Sequence, residues 1–281
     1  MQNLFKWILR FKAVKSRKTY FSNIRHHEIM LSDQKRCDGY RIAISTGVHN
    51  GQHVLDVGTG TGLLARFAAQ QGAYVTAIDN SCKILRVAKS HPESIGITFK
   101  RMNSRMVKDY FDVIIFELFG SFGLNEGVLD TISDLRYRCL SQNGEFLPDS
   151  FELFCEPVHI SQFYNILPLE SFGFPINMPI QWHKIPPECV TLLRDPVPVW
   201  TCKFQDAIEI PLNLFPFETS DVPDAWAIFF RASYRGVTVC ESLPFHPYSH
   251  WNIPIFKTTL RQVHLKIVDT FLPETWVILS I

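Results

Sequence analysis

The chain has 281 residues, 46% of them hydrophobic and 20% charged, with a formal net charge of +1. Such a composition excludes disorder, collagen-like repeats and coiled coil, and the length allows one or two domains with a core that needs no cross-links. Seven cysteines stand at positions 37, 82, 139, 155, 189, 202 and 240. The count is odd and no two are spaced C-x-x-C, which argues against a disulfide framework and a structural zinc site and fits a reducing compartment, cytoplasmic or nuclear. No run of about 18 apolar residues exists, so no membrane span is expected.

The first 18 residues carry Lys6, Arg10, Lys12, Lys15, Arg17 and Lys18 without an acid, which leaves −5 for the rest. An acidic body suits cationic partners and disfavours nucleic acid. The basic start fits an amphipathic opening helix or a membrane-surface contact. Lysines and arginines interrupt its apolar residues, so it does not read as a secretory signal.

Residues 1–45 read as helices, with Asp33, Arg36 and Tyr40 spaced to share one face. His53 to Val57 is a short apolar run ending in glycines and reads as a buried strand. A helix over 62–70, a strand over 74–78 ending at Asp79, a helix over 82–90 and strands over 97–100 and 111–116 follow. A further helix runs from about 126 to 138. Strands alternating with helices predict a parallel sheet covered on both faces.

After Leu147-Pro148-Asp149 the helical periodicity fades. Short β-rich runs over 151–158, 197–204, 226–234, 237–243, 263–271 and 276–281 predict an antiparallel sandwich or barrel. The division falls near residue 148, giving an α/β unit over 1–148 and a β unit over 149–281. The proline-rich stretch 160–195 reads as an inserted arm or loop.

The run Asp56-Val57-Gly58-Thr59-Gly60-Thr61-Gly62 follows a strand and opens a helix. Glycines there allow a tight turn and close approach of backbone to a ligand. Asp79, 21 residues after Gly58, is placed to accept ribose hydroxyl hydrogens. Leu63 stands where a dinucleotide fingerprint wants a third glycine. The G-x-G-x-G form instead resembles the first motif of S-adenosylmethionine-dependent methyltransferases. An adenine would lie near Met102, Asn103 and Ser104. Arg36 could grip the carboxylate of an amino-acid tail, or pair with Asp33 on the helix surface.

Glu117 follows the fourth strand, where ligands of open α/β sheets bind, and Glu126 lies nine residues on across a glycine-containing loop. The plain alternative is a solvated loop acid and a helix-start acid. Two carboxylates at one site suit a guanidinium, which presents a planar fork of donors.

At this point the chain resembles the protein arginine methyltransferases. The resemblance is carried by His27-Glu28-Ile29-Met30-Leu31 with Asp33, Arg36 and Tyr40, the glycine motif and Asp79, Glu117 and Glu126, Phe146-Leu147-Pro148-Asp149, and Ser249-His250-Trp251. It covers most of the chain in the family's order. It implies a Rossmann-like domain, S-adenosylmethionine as cofactor, and methyl transfer to an arginine in a protein or peptide. Free arginine, a small guanidino metabolite, or a catalytically silent scaffold remain alternatives. It further implies that His27 and Arg36 hold the cofactor's amino-acid end, with Asp56, Gly58 and Gly60 beside it. Asp79 would bind the ribose, with Asn103 and Ser104 near the adenine. Glu117 and Glu126 would clamp the arginine, and Asp33 with His250 would take the proton. Met30 and Trp251 would shape the acceptor pocket, and homodimers would form through the 160–195 arm. Departures are Asp79 where the family more often has Glu, Asn103-Ser104 where an acid is usual, Ile24 where a tyrosine is usual, and a trimmed barrel.

Overall fold

The computed structural model describes residues 20–161, 182–211, 213–216, 218–243, 249–267, 269 and 276–280. The basic segment 1–18 lies outside these residues, as does 162–181, most of the expected arm. Two helices open the described chain, α1 (Ile24–Ser32) and α2 (Gln34–Gly47). Asn23 and Asp33 cap them, each accepting a backbone N–H two or three residues on.

The α/β unit follows as β1 (His53–Val57), α3 (Leu63–Gln70), β2 (Tyr74–Asp79), α4 (Cys82–Ser90), β3 (Thr98–Arg101), β4 (Phe111–Phe116), α5 (Val128–Arg138) and β5 (Leu140–Leu147). The five strands form a parallel sheet in the order β3-β2-β1-β4-β5. From β1 the chain steps outward through β2 and β3, then returns to the other side of β1 for β4. That reversal makes a crevice at the carboxyl ends of β1 and β4, the standard ligand position of such sheets. Gly58 and Glu117 are the first residues beyond those two ends.

Strand β5 escapes the sequence reading because Ser141-Gln142-Asn143-Gly144-Glu145 has no apolar run. Its pairing with β4 supplies what local propensity lacks. A cis Leu147-Pro148 bond then separates it from β6 (Ser150–Ile160).

The β unit continues with β7 (Trp182–Ile185), β8 (Val190–Leu192), β9 (Pro198–Lys203), β10 (Asn213–Leu214), β11 (Ala225–Tyr234), β12 (Val237–Glu241), β13 (Ile253–Lys257), β14 (Val263–Lys266) and β15 (Val277–Ser280). They form two antiparallel sheets. One runs β7-β13-β11-β6-β8, with β12 on β11 and β9 on β6; the other is β10-β14-β15. Period-two alternation sorts the side chains of β6 and β11. Phe151, Leu153, Trp226, Ile228 and Phe230 enter a core shared with the α/β unit, while Phe154, Val158, Ala227 and Phe229 enter a second, smaller core. Strands β7 and β8 correct the loop reading of 160–195: residues 182–192 are woven into the larger sheet.

Helix α2 packs on both units. Tyr40 is fully buried, and its hydroxyl donates to the Phe116 carbonyl at 3.0 Å. Gly39 is in close apposition to β12: a Cβ there would stand 2.0 Å from the Val239 carbonyl oxygen. On an open helix a Gly→Ala change stabilises by up to about 1 kcal/mol. Here Gly39→Ala forces backbones apart and is expected to cost about 1–3 kcal/mol, measured by urea unfolding. A gain in stability would show that α2 is not held against β12.

Candidate active site

Glycine geometry sets the floor of the crevice. Gly58, Gly60 and Gly62 adopt φ of +71°, +54° and +81°, a region open to glycine and costly for other residues. A Cβ on Gly60 would stand 3.0 Å from the His27 ring, so helix α1 lies close over the turn. Asp79 Oδ2 accepts the Gly60 N–H at 3.1 Å and Oδ1 the Ser81 N–H at 2.7 Å. The acid that ends β2 therefore faces the turn and keeps lone pairs for further donors. Asn103 and Ser104 follow β3 beside it, and Met102 N–H donates to the Asp79 carbonyl.

Asp56 differs from its expected place beside a ligand. It is 1% exposed, and Oδ2 accepts the Thr59 hydroxyl at 2.6 Å. Oδ1 is buried without a hydrogen-bond partner among the described residues. Asp56 thus braces the turn from within. Burial pushes its carboxyl up to about 7, with the Thr59 bond offsetting part of the effect. His27 is buried, and Nε2 meets the Phe21 carbonyl at 2.9 Å.

The guanidinium of Arg36 does not pair with Asp33. Asp33 Oδ1 accepts the Arg36 backbone N–H at 3.0 Å, as a helix cap. The guanidinium instead donates Nη2 to Glu117 Oε2 at 2.7 Å and Nε to the same oxygen at 3.2 Å. Both side chains are 9% exposed. Burial works against the arginine's charge, but Glu117 more than offsets it and raises the pKa above the ordinary arginine value. Nη1 donates to the Met30 carbonyl at 3.3 Å. Glu117 Oε1 accepts the Phe119 N–H at 3.3 Å. Three of roughly four lone-pair sites on Glu117 are therefore filled.

Asp33 has a second task. Its Oδ2 lies 3.0 Å from His250 Nδ1 and accepts the His250 N–H at 3.2 Å. Burial alone would raise the Asp33 carboxyl, yet the bonds from His250 and Arg36 hold it below the usual value. Glu126, half-buried on the same loop as Glu117, acts electrostatically on Tyr20, whose hydroxyl is raised by burial and then by that charge. Tyr20 stacks on His26 with ring centres 3.6 Å apart.

Trp251 corrects an expectation. It is 4% exposed and packs edge-on against Phe230, so it is a core residue rather than a pocket wall. Its indole N–H donates to the Phe119 carbonyl at 2.8 Å and ties the β unit to the loop after Glu117. Met30 is half-buried at the end of α1. Sequence reasoning missed the roles of Thr59 and Tyr40. Only Tyr40 carried a signal, four residues beyond Arg36.

A glycine turn after β1, an acid ending β2 and a switch point between β1 and β4 define an α/β fold of the methyltransferase class. The family described as Methyltransferase domain matches residues 54–144. Protein arginine N-methyltransferase 1 of Dictyostelium discoideum is 38% identical over 147 residues, covering 48% of this chain and 43% of that protein. The chain thus spans less than half the length of that relative. Protein arginine N-methyltransferase 1 of Schizosaccharomyces pombe is 28% identical over 275 residues, covering 85% and 78%. The PRMT1 enzyme-prozyme heterotetrameric complex of Trypanosoma brucei with AdoHcy superposes with a TM-score of 0.68 at 20% identity, covering 88% of each chain. In motif order and in these matches the chain is similar to the protein arginine methyltransferases.

Two predictions follow from the geometry. Removing one partner of a buried ion pair typically costs about 3–5 kcal/mol. Arg36→Gln is expected to cost that much, and the double variant with Glu117→Gln less than the two single losses added; urea unfolding of the cycle checks this. For Asp56, the folded value of about 7 exceeds the ordinary 3.8. The folded state then holds the proton more tightly, so stability relative to Asp56→Asn falls as pH rises from about 4 to 7. The slope is at most about 1.4 kcal/mol per pH unit. Thermal unfolding of both proteins across that range reads it.

Proposed function

We propose that the protein transfers a methyl group from S-adenosylmethionine to a guanidino nitrogen of an arginine in a protein or peptide. The observation that carries the reading is that the start of helix α2 holds both acid and base candidates, Glu117 through Arg36 and His250 through Asp33. The relatives' names and the AdoHcy in the Trypanosoma complex support it.

The cofactor fits the residues present. Its ribose hydroxyls would find Asp79, its adenine the end of β3 near Asn103 and Ser104, and its amino-acid end His27 and Arg36 beside Gly58 and Gly60. When bound it supplies an electrophilic methyl on a sulfonium. The protein's part is alignment, worth up to about 7–11 kcal/mol in well-oriented reactions. Glu117 and Glu126 would hold the guanidinium and draw its positive charge toward the gripped nitrogens. His250, oriented by Asp33, would accept the proton released as the new N–C bond forms, a contribution of about 10²–10⁴-fold. Half-buried Met30 would line the acceptor side.

The reading extends to a reducing compartment, cytoplasmic or nuclear, supported by seven free thiols. It also extends to self-association through the 160–195 segment, supported by the oligomeric Trypanosoma relative.

Glu126→Gln tests it. The variant keeps the fold and the Arg36–Glu117 pair but loses one gripping charge. Mass spectrometry of an arginine-containing peptide mixture and of free arginine, with isotopically labelled cofactor, should show peptide methylation by the wild type. The variant should fall by about 10²-fold or more while binding cofactor normally. Full activity in the variant, or labelling of free arginine alone, would overturn the reading.

A further inference from the structure

The outer face of α4 carries Lys83, Arg86 and Lys89, all exposed, and the helix has no acid. Their spacing of three puts like charges side by side, which is repulsive. Lys83 also sits in the first turn, where the helix dipole disfavours a cation. Among the described residues none of the three pairs with a carboxylate.

Beneath α4 lie β2 and β3, and among the described residues β3 is an open edge of the parallel sheet. It contributes exposed Lys100 and Arg101, and Arg101 Nε donates to the Asn80 carbonyl just before α4. The loop beyond adds exposed Arg105 and Lys108. Residues 82–110 hold seven cations against Glu93 and Asp109, a net +5 in a chain whose total is +1. Glu93 meets Gln70 at 3.4 Å, and Asp109 offsets Lys100 at 3.7 Å. Apolar side chains stand among the cations: Val87 is 38% exposed, Met106 64% and Tyr110 66%.

A lysine on a sheet edge commonly guards against aggregation. That accounts for Lys100 and leaves the three cations of the helix unexplained. We propose that the free edge of β3, with the cationic face of α4, docks an extended acidic segment of a partner protein, which adds to the sheet as a further strand. The segment's amides pair with the open edge of β3, and its carboxylates meet Lys100, Arg101 and the α4 cations. Nucleic acid offers the same cations a negative charge but has no peptide amides for the edge. The surface lies on the far side of β1 from Glu117, and its occupation does not depend on the methyl-transfer reading.

Fluorescence anisotropy with the full chain tests this. The probes are labelled octaglutamate, the same peptide fully N-methylated along its backbone, and octauridylate, all at low ionic strength. Octaglutamate should bind at least about tenfold more tightly than either other probe. Lys83→Gln/Arg86→Gln/Lys89→Gln should weaken it by about tenfold or more with the melting temperature unchanged. These side chains are exposed, so the variant should fold, and the N-methylated probe tests strand addition without any variant. Absent binding, equal binding of the N-methylated peptide or of octauridylate, or wild-type affinity in the triple variant would each overturn the proposal.

Discussion

A buried charge must be met by another, and the arrangement around the crevice answers to that constraint at Glu117. A carboxylate placed directly after the apolar strand β4, at 9% exposure, is costly without a cationic partner. Arg36 is that partner, so the helix that carries it must stand against the end of β4. Three further contacts on the same helix hold it there. Asp33 starts it, Tyr40 bonds the carbonyl just before Glu117, and Gly39 lets the backbone of β12 come close. The pair does little for stability compared with an apolar alternative of the same shape. Its consequence is positional: one acid is held in one place at the mouth of the crevice.

The same helix joins the two halves of the protein. Asp33 divides its oxygens, one capping α2 and the other holding His250 from the β unit. A capping carboxylate cannot rotate away without exposing an amide, so the histidine inherits the rigidity of the helix start. Trp251, the next residue, bonds the Phe119 carbonyl and fastens the loop after Glu117 to the same segment. The Ser249-His250-Trp251 run is therefore a strut between sheets as well as the source of a titratable group.

The parallel sheet was legible in the sequence because β1, β2 and β4 are short, largely apolar runs bounded by glycine, acid or polar loops, and their alternation with helices placed β3. The polar strand β5 was not, since only its place beside β4 makes it a strand. Strands β7 and β8 hid in a proline-rich stretch for the same reason: their partners β13 and β6 lie far along the chain. Within the site, residue types and spacing revealed which groups matter but not whom they touch. Arg36 had Asp33 as a candidate partner nearby in sequence, and its guanidinium pairs instead with Glu117, 81 residues away. Trp251 was expected as a pocket wall because the family resemblance of Ser249-His250-Trp251 implied it. Its burial depends on Phe230 and Phe119, and no local pattern encodes that. Asp56 belonged to the glycine motif, yet the Thr59 hydroxyl draws it inside the turn.

The hydrogen-bond count at Glu117 bears on why a second acid is needed. Arg36 takes two donations' worth of Oε2, and the Phe119 amide takes part of Oε1. About one acceptor position remains. A bidentate grip on an incoming guanidinium by Glu117 alone would require Arg36 to let go, which would leave a buried cation unpaired. A guanidinium offers five N–H donors in a fixed plane. Glu117 can meet one of them without disturbing its own pair, so most of the remaining charge falls to Glu126, across the loop, half-buried and within electrostatic reach of Tyr20. The two acids are then unequal: one is nearly saturated by Arg36 and the Phe119 amide, and the other stands apart from that pair. Under the proposed reaction that inequality leaves orientation to Glu117 and most of the charge compensation to Glu126.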